Sequence, residues 1–476
     1  MRLFEMLVIL TNFLAFIIFS FPQFSVVRQT GYISIILLPM IAQLLFEESR
    51  WQMVPAYMLS ALFFLLWLLN RIVTTPMVPH RFFINLAIVL GIIVFTISVT
   101  LPFLFPVFRF PQPSGPYQIG TMTYHWVDTN RQEFFSTNPQ ARREVMAQIW
   151  YPAKTDPSAP HTYYLQHPEV LAATLRILHL PTFLFEHFKY VPTHAILSAP
   201  LAEDKASYPV LIFLSGRGGY RQSNTFQIEE LVSHGYIVVG IDQPYAASGV
   251  VFPDGRLIAM DSRMYNPKNV GHDPFTDLAV PFLAQDVTFT LDQLTLLDKT
   301  DSGDILSGRM DLQHVGIFGV SLGGIVTGEA CRLDSRLQAC LVMDAFMSAS
   351  VVQAGLQQPA MWISRDAQTM ELEGWAESDI DETQSTMRAV YATLPGPGYL
   401  VLIPGLFHPD FTDAPLFSPL ASQMGLSGRI PAERAHHIIN VYSLAFFDQH
   451  LKEVPSDLLA GPVKEYPEVL FETRQP

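Results

Sequence analysis

The strongest chemical signal in this sequence is a serine set among glycines. Ser321 stands in GVSLGG at residues 319–324, directly after the predicted strand Val315–Phe318 and before a stretch with helical periodicity. In a tight turn from strand to helix, glycines two positions on either side let backbones approach where a Cβ would clash. The pentapeptide alone also arises by chance, but in this context it predicts that Ser321 is a nucleophile.

A serine hydroxyl attacks only when a base accepts its proton, so a histidine is required further along the chain. His408 follows the predicted strand Tyr399–Ile403. In an α/β sheet, functional residues lie in the loops that follow the carboxyl ends of the strands. His436, His437 and His450 lie instead on a predicted helix. We therefore predict His408 as the base, in the serine, acid, histidine order of α/β-hydrolases.

The acid that would orient this histidine has two candidates. Asp344 ends the predicted strand Ala339–Met343, and Asp366 lies just past the predicted strand Ala360–Ile363. Either carboxylate could hold the imidazole tautomer and stabilise the imidazolium. Spacing alone slightly favours Asp366, because many α/β-hydrolases place the acid one strand later than Asp344.

An oxyanion hole needs two preorganised N–H donors where negative charge develops. The first predicted donor is the amide of Leu322, the residue after the nucleophile. The second is predicted on the loop SGRGG at residues 215–219, after the predicted strand Val210–Leu214, and we assign it to the amide of Arg217. No Gly-Lys-Ser/Thr sequence follows this loop, so a phosphate-binding P-loop is rejected.

Beyond residue 200, short apolar runs alternate with helical patterns. This alternation predicts an α/β fold with a mostly parallel sheet and helices on both faces. The runs are continuous, as in strands that are buried on both sides. Besides the strands named above, Ile237–Ile241 is a predicted strand. The predicted helices are Gln227–Ser233, Ala279–Leu297, Leu322–Leu333 and Ala435–Leu451.

Composition excludes several classes of protein. The chain has 476 residues and a net charge of −14, and an acidic chain without a basic stripe would be repelled by nucleic acid. Cys331 and Cys340 are too few for a disulfide scaffold or a Cys-rich metal site. We expect both cysteines in the core, which makes a thiol enzyme a weaker alternative. Because His436 and His437 cannot face one ion together from a helix, neither a metal nor a cofactor is predicted.

The first 108 residues have a different chemistry, with five Arg, three Glu and neither Lys nor Asp. They contain four apolar stretches, and a membrane-spanning helix needs about 17–25 mostly apolar residues. We predict an all-α anchor of about four spans rather than a cleaved signal peptide, because three more apolar runs follow the first. The stretches are Leu3–Phe21, Gly31–Phe46, Met53–Leu69 and Phe82–Phe105.

The predicted domain order is a transmembrane anchor at residues 1–108, a proline-rich linker at 109–117 and a catalytic domain at 118–476. The protein is thus predicted to be an integral, multi-pass membrane protein whose partner is the lipid bilayer. With four spans, three arginines flank each side of the membrane. The positive-inside rule therefore leaves the side of the catalytic domain open.

From about residue 110 to 475 the sequence resembles the plasma-type platelet-activating factor acetylhydrolases, also called lipoprotein-associated phospholipases. The matching motifs are GPY at 115–117, IWYP at 149–152, YPV at 208–210, SHGY at 233–236, GVSLGG at 319–324, LVMDA at 341–345, HPDF at 408–411 and SLAFF at 443–447. The resemblance implies the α/β-hydrolase fold. It places the family's catalytic residues on Ser321, Asp344 and His408, and its oxyanion amides on Arg217 and Leu322. The match at LVMDA is what favours Asp344 as the acid.

By resemblance, the activity is calcium-independent hydrolysis of a short or oxidised acyl chain from the sn-2 position of a phospholipid. Ser215 and Val320 replace histidines that are common in the family, and Arg217 is charged where the family usually has an apolar residue. These departures leave the acyl and headgroup preference open. The alternatives are a carboxylesterase or polyester hydrolase that acts on soluble esters, and a catalytically silent membrane binding protein.

Overall fold

The computed structural model describes residues 1–20, 33–72, 81–156, 158–264, 274–300 and 305–474. The chain divides into two compact units. The helical unit comprises Met1–Phe108 with Phe417–Leu420, and the sheet unit comprises Arg109–Leu416 with Ala421–Pro476. The predicted division into an anchor, a linker and a catalytic domain that fold separately stays a prediction.

The helical unit consists of apolar helices. They are α1 (Leu3–Ser20), α2 (Ile33–Phe46), α3 (Val54–Ile72) and α4 (Arg81–Leu104). Among the described residues, three segments are long and apolar enough to cross a membrane, namely Leu3–Ser20, Trp51–Leu69 and Asn85–Leu104. The apolar part of α2, Ile35–Phe46, is shorter. Phe21 and Gly31, which bound two of the predicted stretches, lie outside the described residues.

A buried ion pair ties three of these helices together. Arg50, which precedes α3, donates from Nε and Nη2 to the Glu5 carboxylate of α1 at 2.6 and 2.8 Å. Arg50 also donates to the carbonyl oxygen of Phe105, directly after α4. Both charged side chains are buried, and each neutralises the other, as a charge removed from water requires.

The sheet unit contains thirteen strands among the described residues. They are β1 (Gln118–Gln132), β2 (Arg142–Ala153), β3 (His161–Tyr163), β4 (Pro192–Leu197), β5 (Tyr208–Leu214), β6 (Ile237–Asp242), β7 (Gly249–Val251), β8 (Leu257–Ala259), β9 (Met310–Val320), β10 (Leu337–Met343), β11 (Ala360–Ser364), β12 (Gly398–Leu402) and β13 (Leu470–Arg474). Eleven form one sheet in the order β13-β12-β11-β10-β9-β5-β6-β2-β1-β4-β3, while β7 and β8 pair separately. Strands β12 to β9, β5 and β6 are parallel, and β2 and β13 join them antiparallel.

Helices connect these strands. They are α5 (Ala172–Ile177), α6 (Thr225–Ser233), α7 (Pro274–Thr300), α8 (Leu322–Leu333), α9 (Ala349–Ala354), α10 (Ala367–Glu373), α11 (Glu377–Thr393) and α12 (Ala432–Leu451). The predicted α/β fold is confirmed. The six predicted strands correspond to β5, β6 and β9 to β12, and the four predicted helices correspond to α6, α7, α8 and α12. Every residue of β5, β11 and β12 is buried, which is why these strands are continuous apolar runs.

Candidate active site

The candidate residues leave the same edge of the parallel sheet. Ser215 follows β5, Ser321 follows β9, Asp344 follows β10, and His408 lies in the loop after β12. Parallel strands present their carboxyl ends at one edge, so residues that are distant in sequence meet there. The fold therefore assembles a site from four separate loops.

Ser321 occupies a sharp turn between β9 and α8. Its φ of 56° and ψ of −123° are unfavourable for a residue with a side chain, so the surrounding packing must hold them. A Cβ on Gly319 would lie 2.3 Å from the carbonyl oxygen of Gly323. A Cβ on Gly323 would lie 2.2 Å from the carbonyl oxygen of Leu214. Close backbone packing thus explains both glycines of the motif.

The structure brings Asp344 to His408. The His408 Nδ1 atom lies 2.6 Å from Asp344 Oδ2, and Ser364 Oγ donates to Asp344 Oδ1 at 2.9 Å. A carboxylate only accepts hydrogen bonds, so Nδ1 carries the proton and Nε2 remains available as an acceptor. This is the tautomer that a general base requires.

The electrostatics keep Asp344 ionised. Burial raises the pKa of Asp344, but the positive charge of Arg365 and the hydrogen bond from His408 outweigh it and lower the pKa to about 2. The carboxylate is only 2% exposed, so these partners replace the water that it has lost.

Asp366, the other candidate acid, has a different position. It is the N-cap of α10, where its carboxylate accepts a hydrogen bond from the Thr369 amide at 3.2 Å. An aspartate at this position satisfies an N–H group that has no partner within the helix. The structure therefore places Asp366 at a helix terminus and Asp344 at the histidine.

Buried carboxylates hold the loop that carries His408. Asp410 accepts hydrogen bonds from the Phe407 amide at 2.6 Å, the Gly428 amide at 2.7 Å and Ser427 Oγ at 2.7 Å. Asp413 accepts from two amides at the start of α6, at 2.9 and 3.1 Å. The loop is thereby fixed on both sides of His408 (residues 407 and 410–413).

The glycine loop after β5 passes close to the nucleophile. A Cβ on Gly216 would lie only 3.2 Å from the Cβ of Ser321. The Gly219 amide donates to the Gly216 carbonyl at 2.9 Å, which closes a tight turn around Arg217. The Arg217 side chain donates to Thr276 at the start of α7 at 3.2 Å. Leu322 begins α8, so its amide belongs to the first helical turn, which has no acceptor within the helix.

Two charged residues at this site, Arg365 and Glu373, were not predicted from the sequence. Arg365 is fully buried and lies 3.1 Å from Asp344, and Glu373 pairs with Arg365. The Glu373 side chain is only 14% exposed, although it lies in the acidic segment 371–382, whose composition is typical of a solvated surface. The one available signal was that Arg365 directly follows β11, at the same edge of the sheet.

The remaining histidines near the C-terminus pack on α12. His436 is buried, and its Nε2 donates a hydrogen bond to the carbonyl oxygen of Thr412 at 2.9 Å. Its ring stacks on Phe226 with centroids 3.7 Å apart. His437 contacts the Tyr466 hydroxyl at 3.2 Å.

The cysteines are buried, as predicted, and they are bonded to each other. Cys331 lies near the end of α8 and Cys340 in β10, and the disulfide between them was not predicted. A thiolate nucleophile is therefore not available at either position. Within the described ranges, no three His, Cys, Asp or Glu side chains lie close enough to hold a metal ion.

Comparisons with known proteins agree with the motifs. The family profile described as Platelet-activating factor acetylhydrolase, isoform II, matches residues 104–249, which include the glycine loop but not Ser321. A platelet-activating factor acetylhydrolase of Cavia porcellus is 23% identical over 369 residues, which cover 72% of this chain and 78% of that protein. A probable 1-alkyl-2-acetylglycerophosphocholine esterase of Arthroderma benhamiae is 25% identical over 395 residues, which cover 76% of this chain and 94% of that protein.

Among solved structures, a ferulic acid esterase from Streptomyces cinnamoneus matches with a TM-score of 0.62 and 28% identity. The match covers 77% of this chain and 99% of that esterase. The resemblance that the motifs indicated is thus confirmed: the chain is similar to the platelet-activating factor acetylhydrolases of isoform II, and it is a carboxylic ester hydrolase with the α/β-hydrolase fold.

Proposed function

We propose that this chain hydrolyses esters through a triad of Ser321, His408 and Asp344. The observation that carries the proposal is the 2.6 Å contact between His408 and Asp344, at the same sheet edge as the strained turn of Ser321. Ser321 Oγ attacks the ester carbonyl carbon while His408 Nε2 accepts its proton. The tetrahedral intermediate then breaks its bond to the alcohol oxygen, and the alcohol leaves with the proton from His408.

Water completes the cycle. His408 Nε2 accepts a proton from water as the water oxygen attacks the acyl-serine, and the proton returns to Ser321 Oγ as the acid departs. Asp344 stabilises the imidazolium in both halves without becoming protonated. We propose that the Arg217 and Leu322 amides hold the oxyanion, because both lie on backbone that borders Ser321.

We propose a phospholipid as the substrate, with a short or oxidised acyl chain at sn-2 and no requirement for calcium. Two observations support this choice. The relatives from Cavia porcellus and Arthroderma benhamiae carry names that refer to platelet-activating factor and to a 1-alkyl-2-acetylglycerophosphocholine. The N-terminal helices are long enough to hold the enzyme in a bilayer, where phospholipids are the surrounding material.

The same helices support integral, multi-pass membrane association. The helical unit contains three segments of 18, 19 and 20 residues that meet the length and polarity of a span. We propose that they anchor the sheet unit at a membrane.

A second candidate function is hydrolysis of soluble acyl esters. The ferulic acid esterase match favours it, because 99% of that esterase aligns with this chain and the α/β-hydrolase fold accommodates many ester substrates. Both candidates use the same triad and differ only in the ester that reaches it.

One experiment separates these possibilities. Wild type, Ser321→Ala and the exposed control Ser378→Ala would be purified in detergent and assayed with a calcium chelator present. The two substrates would be a phosphatidylcholine with an acetyl group at sn-2 and a short p-nitrophenyl ester. We expect wild type and Ser378→Ala to hydrolyse both substrates, and Ser321→Ala to lose about 10⁶-fold in kcat, as when a triad serine is removed.

Turnover of the p-nitrophenyl ester alone would favour the soluble-ester function. Equal rates for wild type and Ser321→Ala on both substrates would overturn the triad and favour a catalytically silent binding protein.

A further inference from the structure

Behind the proposed triad, four residues form a closed ring of polar contacts. Arg365 Nε lies 3.2 Å from Asp344 Oδ1 and 3.1 Å from Asp344 Oδ2, while its Nη1 donates to Glu373. The Glu373 carboxylate accepts the backbone N–H of His408 at 3.1 and 3.2 Å. The His408 ring contacts Asp344 and closes the ring. His408 is thus held twice, through its imidazole and through its backbone.

We infer that Arg365 and Glu373 are positioning residues of the ester-hydrolysing site. They form a charge-compensated pair that holds the Asp344 carboxylate and the His408 imidazole in contact with each other. The inference rests on the proposed triad. Neither residue touches the reacting atoms, and both act through Asp344 and His408.

Arg365 and Glu373 together balance the charges around Asp344 and His408. A carboxylate buried like Asp344 needs a positive partner, and Arg365, itself fully buried, supplies it. An isolated arginine would also oppose the positive charge that His408 gains during turnover. Glu373 neutralises Arg365, so the negative charge of Asp344 remains available to the imidazolium.

Trp375 packs against Arg365 and His408. The Arg365 guanidinium lies over the Trp375 ring at 4.6 Å from its centroid, and the rings of Trp375 and His408 are 5.3 Å apart. Electrostatic interactions strengthen where water is excluded, so the charges of the pair act on His408 with little screening. Asp410, a further acidic residue of the His408 loop, accepts hydrogen bonds from amide and hydroxyl donors of the segment between β12 and α12.

The test compares Glu373→Gln, Arg365→Gln and the double variant with wild type, in full-length protein in detergent. Glutamine keeps the size of Glu373 and one oxygen acceptor, and it removes the charge while an NH2 group replaces the second oxygen. Glu371→Gln is the matched control, because it makes the same charge change at an exposed position of the same helix. The readouts are the pH profile of kcat/KM on the p-nitrophenyl ester and the thermal midpoint.

The two single variants should shift the profile in opposite directions. Without the Glu373 charge, Arg365 opposes protonation of the imidazole, so the acidic limb of kcat/KM moves to lower pH by about 0.5–1 unit. Without Arg365, the limb moves to higher pH by a similar amount, and the double variant returns close to wild type. We expect kcat/KM at the optimum to fall about 10- to 100-fold in each single variant, because His408 loses register.

Each contrary result has a clear meaning. A Glu373→Gln profile that matches wild type and Glu371→Gln, with kcat/KM within twofold, overturns the inference while the Ser321→Ala result still supports the triad. A lowered thermal midpoint with an unmoved profile would also overturn it, since it would show a purely structural contact. If Arg365→Gln fails to fold, Glu373→Gln decides alone. If Ser321→Ala retains full activity, the proposed function fails instead.

Discussion

At the scale of single residues, two aspartates that look alike in sequence differ in what they contact. Asp344 holds His408, whereas Asp366 caps α10. We predict that Asp344→Asn lowers kcat about 10⁴-fold, because an amide favours the wrong histidine tautomer. Asp366→Asn should leave both kcat and stability within experimental error, since asparagine caps helices as well as aspartate does. Steady-state kinetics on the p-nitrophenyl ester measures both, and equal losses in the two variants would contradict the assignment.

The same carboxylate makes stability depend on pH in a defined window. The pKa of Asp344 is about 2 in the folded protein against an ordinary value of 3.8, so its contribution is complete above the ordinary value and is lost as pH falls through the folded one. Between about pH 4 and pH 2, wild type should therefore lose about 2 kcal/mol more unfolding free energy than Asp344→Asn. Urea unfolding at several pH values measures this difference, and parallel curves for the two proteins would refute it.

The residue-scale predictions from sequence had a clear limit. Ser321 and His408 stand out as candidates in the sequence because a nucleophile turn and a loop after a strand leave local signatures in the chain, and their roles stay predictions. Spacing did not separate Asp344 from Asp366, and only the family motif favoured the former. Arg365 and Glu373 could not be predicted, because their contacts to Asp344 and His408 form only when β10, β11 and the His408 loop meet in three dimensions.

At the scale of elements, the turn between β9 and α8 depends on how closely the neighbouring loop packs. A Cβ on Gly323 would lie 2.2 Å from the Leu214 carbonyl oxygen and 2.6 Å from that of Ser215. We predict that Gly323→Ala displaces the glycine loop, destabilises the fold by about 1–3 kcal/mol and lowers kcat at least tenfold, since the proposed oxyanion donors move apart. Chemical unfolding and kinetics measure both effects.

Gly396→Ala is the matched control for this change, because an added Cβ there meets no atom within 4 Å. It should leave activity and stability unchanged. If Gly323→Ala behaved like Gly396→Ala, the close packing of the loop against the turn would not be a requirement of the site.

Strand prediction succeeded where both faces of a strand are covered. The parallel strands contain buried apolar runs, as in β5, β11 and β12, and such runs leave a signal that is independent of context. Strands β1 to β4 and β13 were not predicted. In β1, for example, exposed polar positions interrupt the buried ones, so the run does not stand out from a loop.

At the scale of the whole molecule, the charge and apolar content of the chain are divided between its two units. The three candidate spans contain 18, 19 and 20 residues, and at about 1.5 Å per residue they measure about 27–30 Å, close to the apolar thickness of a bilayer. The acidic residue within these spans, Glu5, forms a buried ion pair with Arg50, which directly precedes the second span. A spanning unit of this kind costs far more to remove from lipid than a surface-bound segment does.

We therefore predict that the expressed chain stays with the membrane fraction after a wash with alkaline carbonate and enters solution only with detergent. Hydrolytic activity dependent on Ser321 should follow the protein into the detergent extract. Immunoblotting and activity assays of each fraction measure this, and a known peripheral protein serves as the control that carbonate releases. Release of the chain by carbonate would contradict the spanning interpretation. It would not bear on the ester hydrolase, because the residues of the proposed triad all belong to the sheet unit.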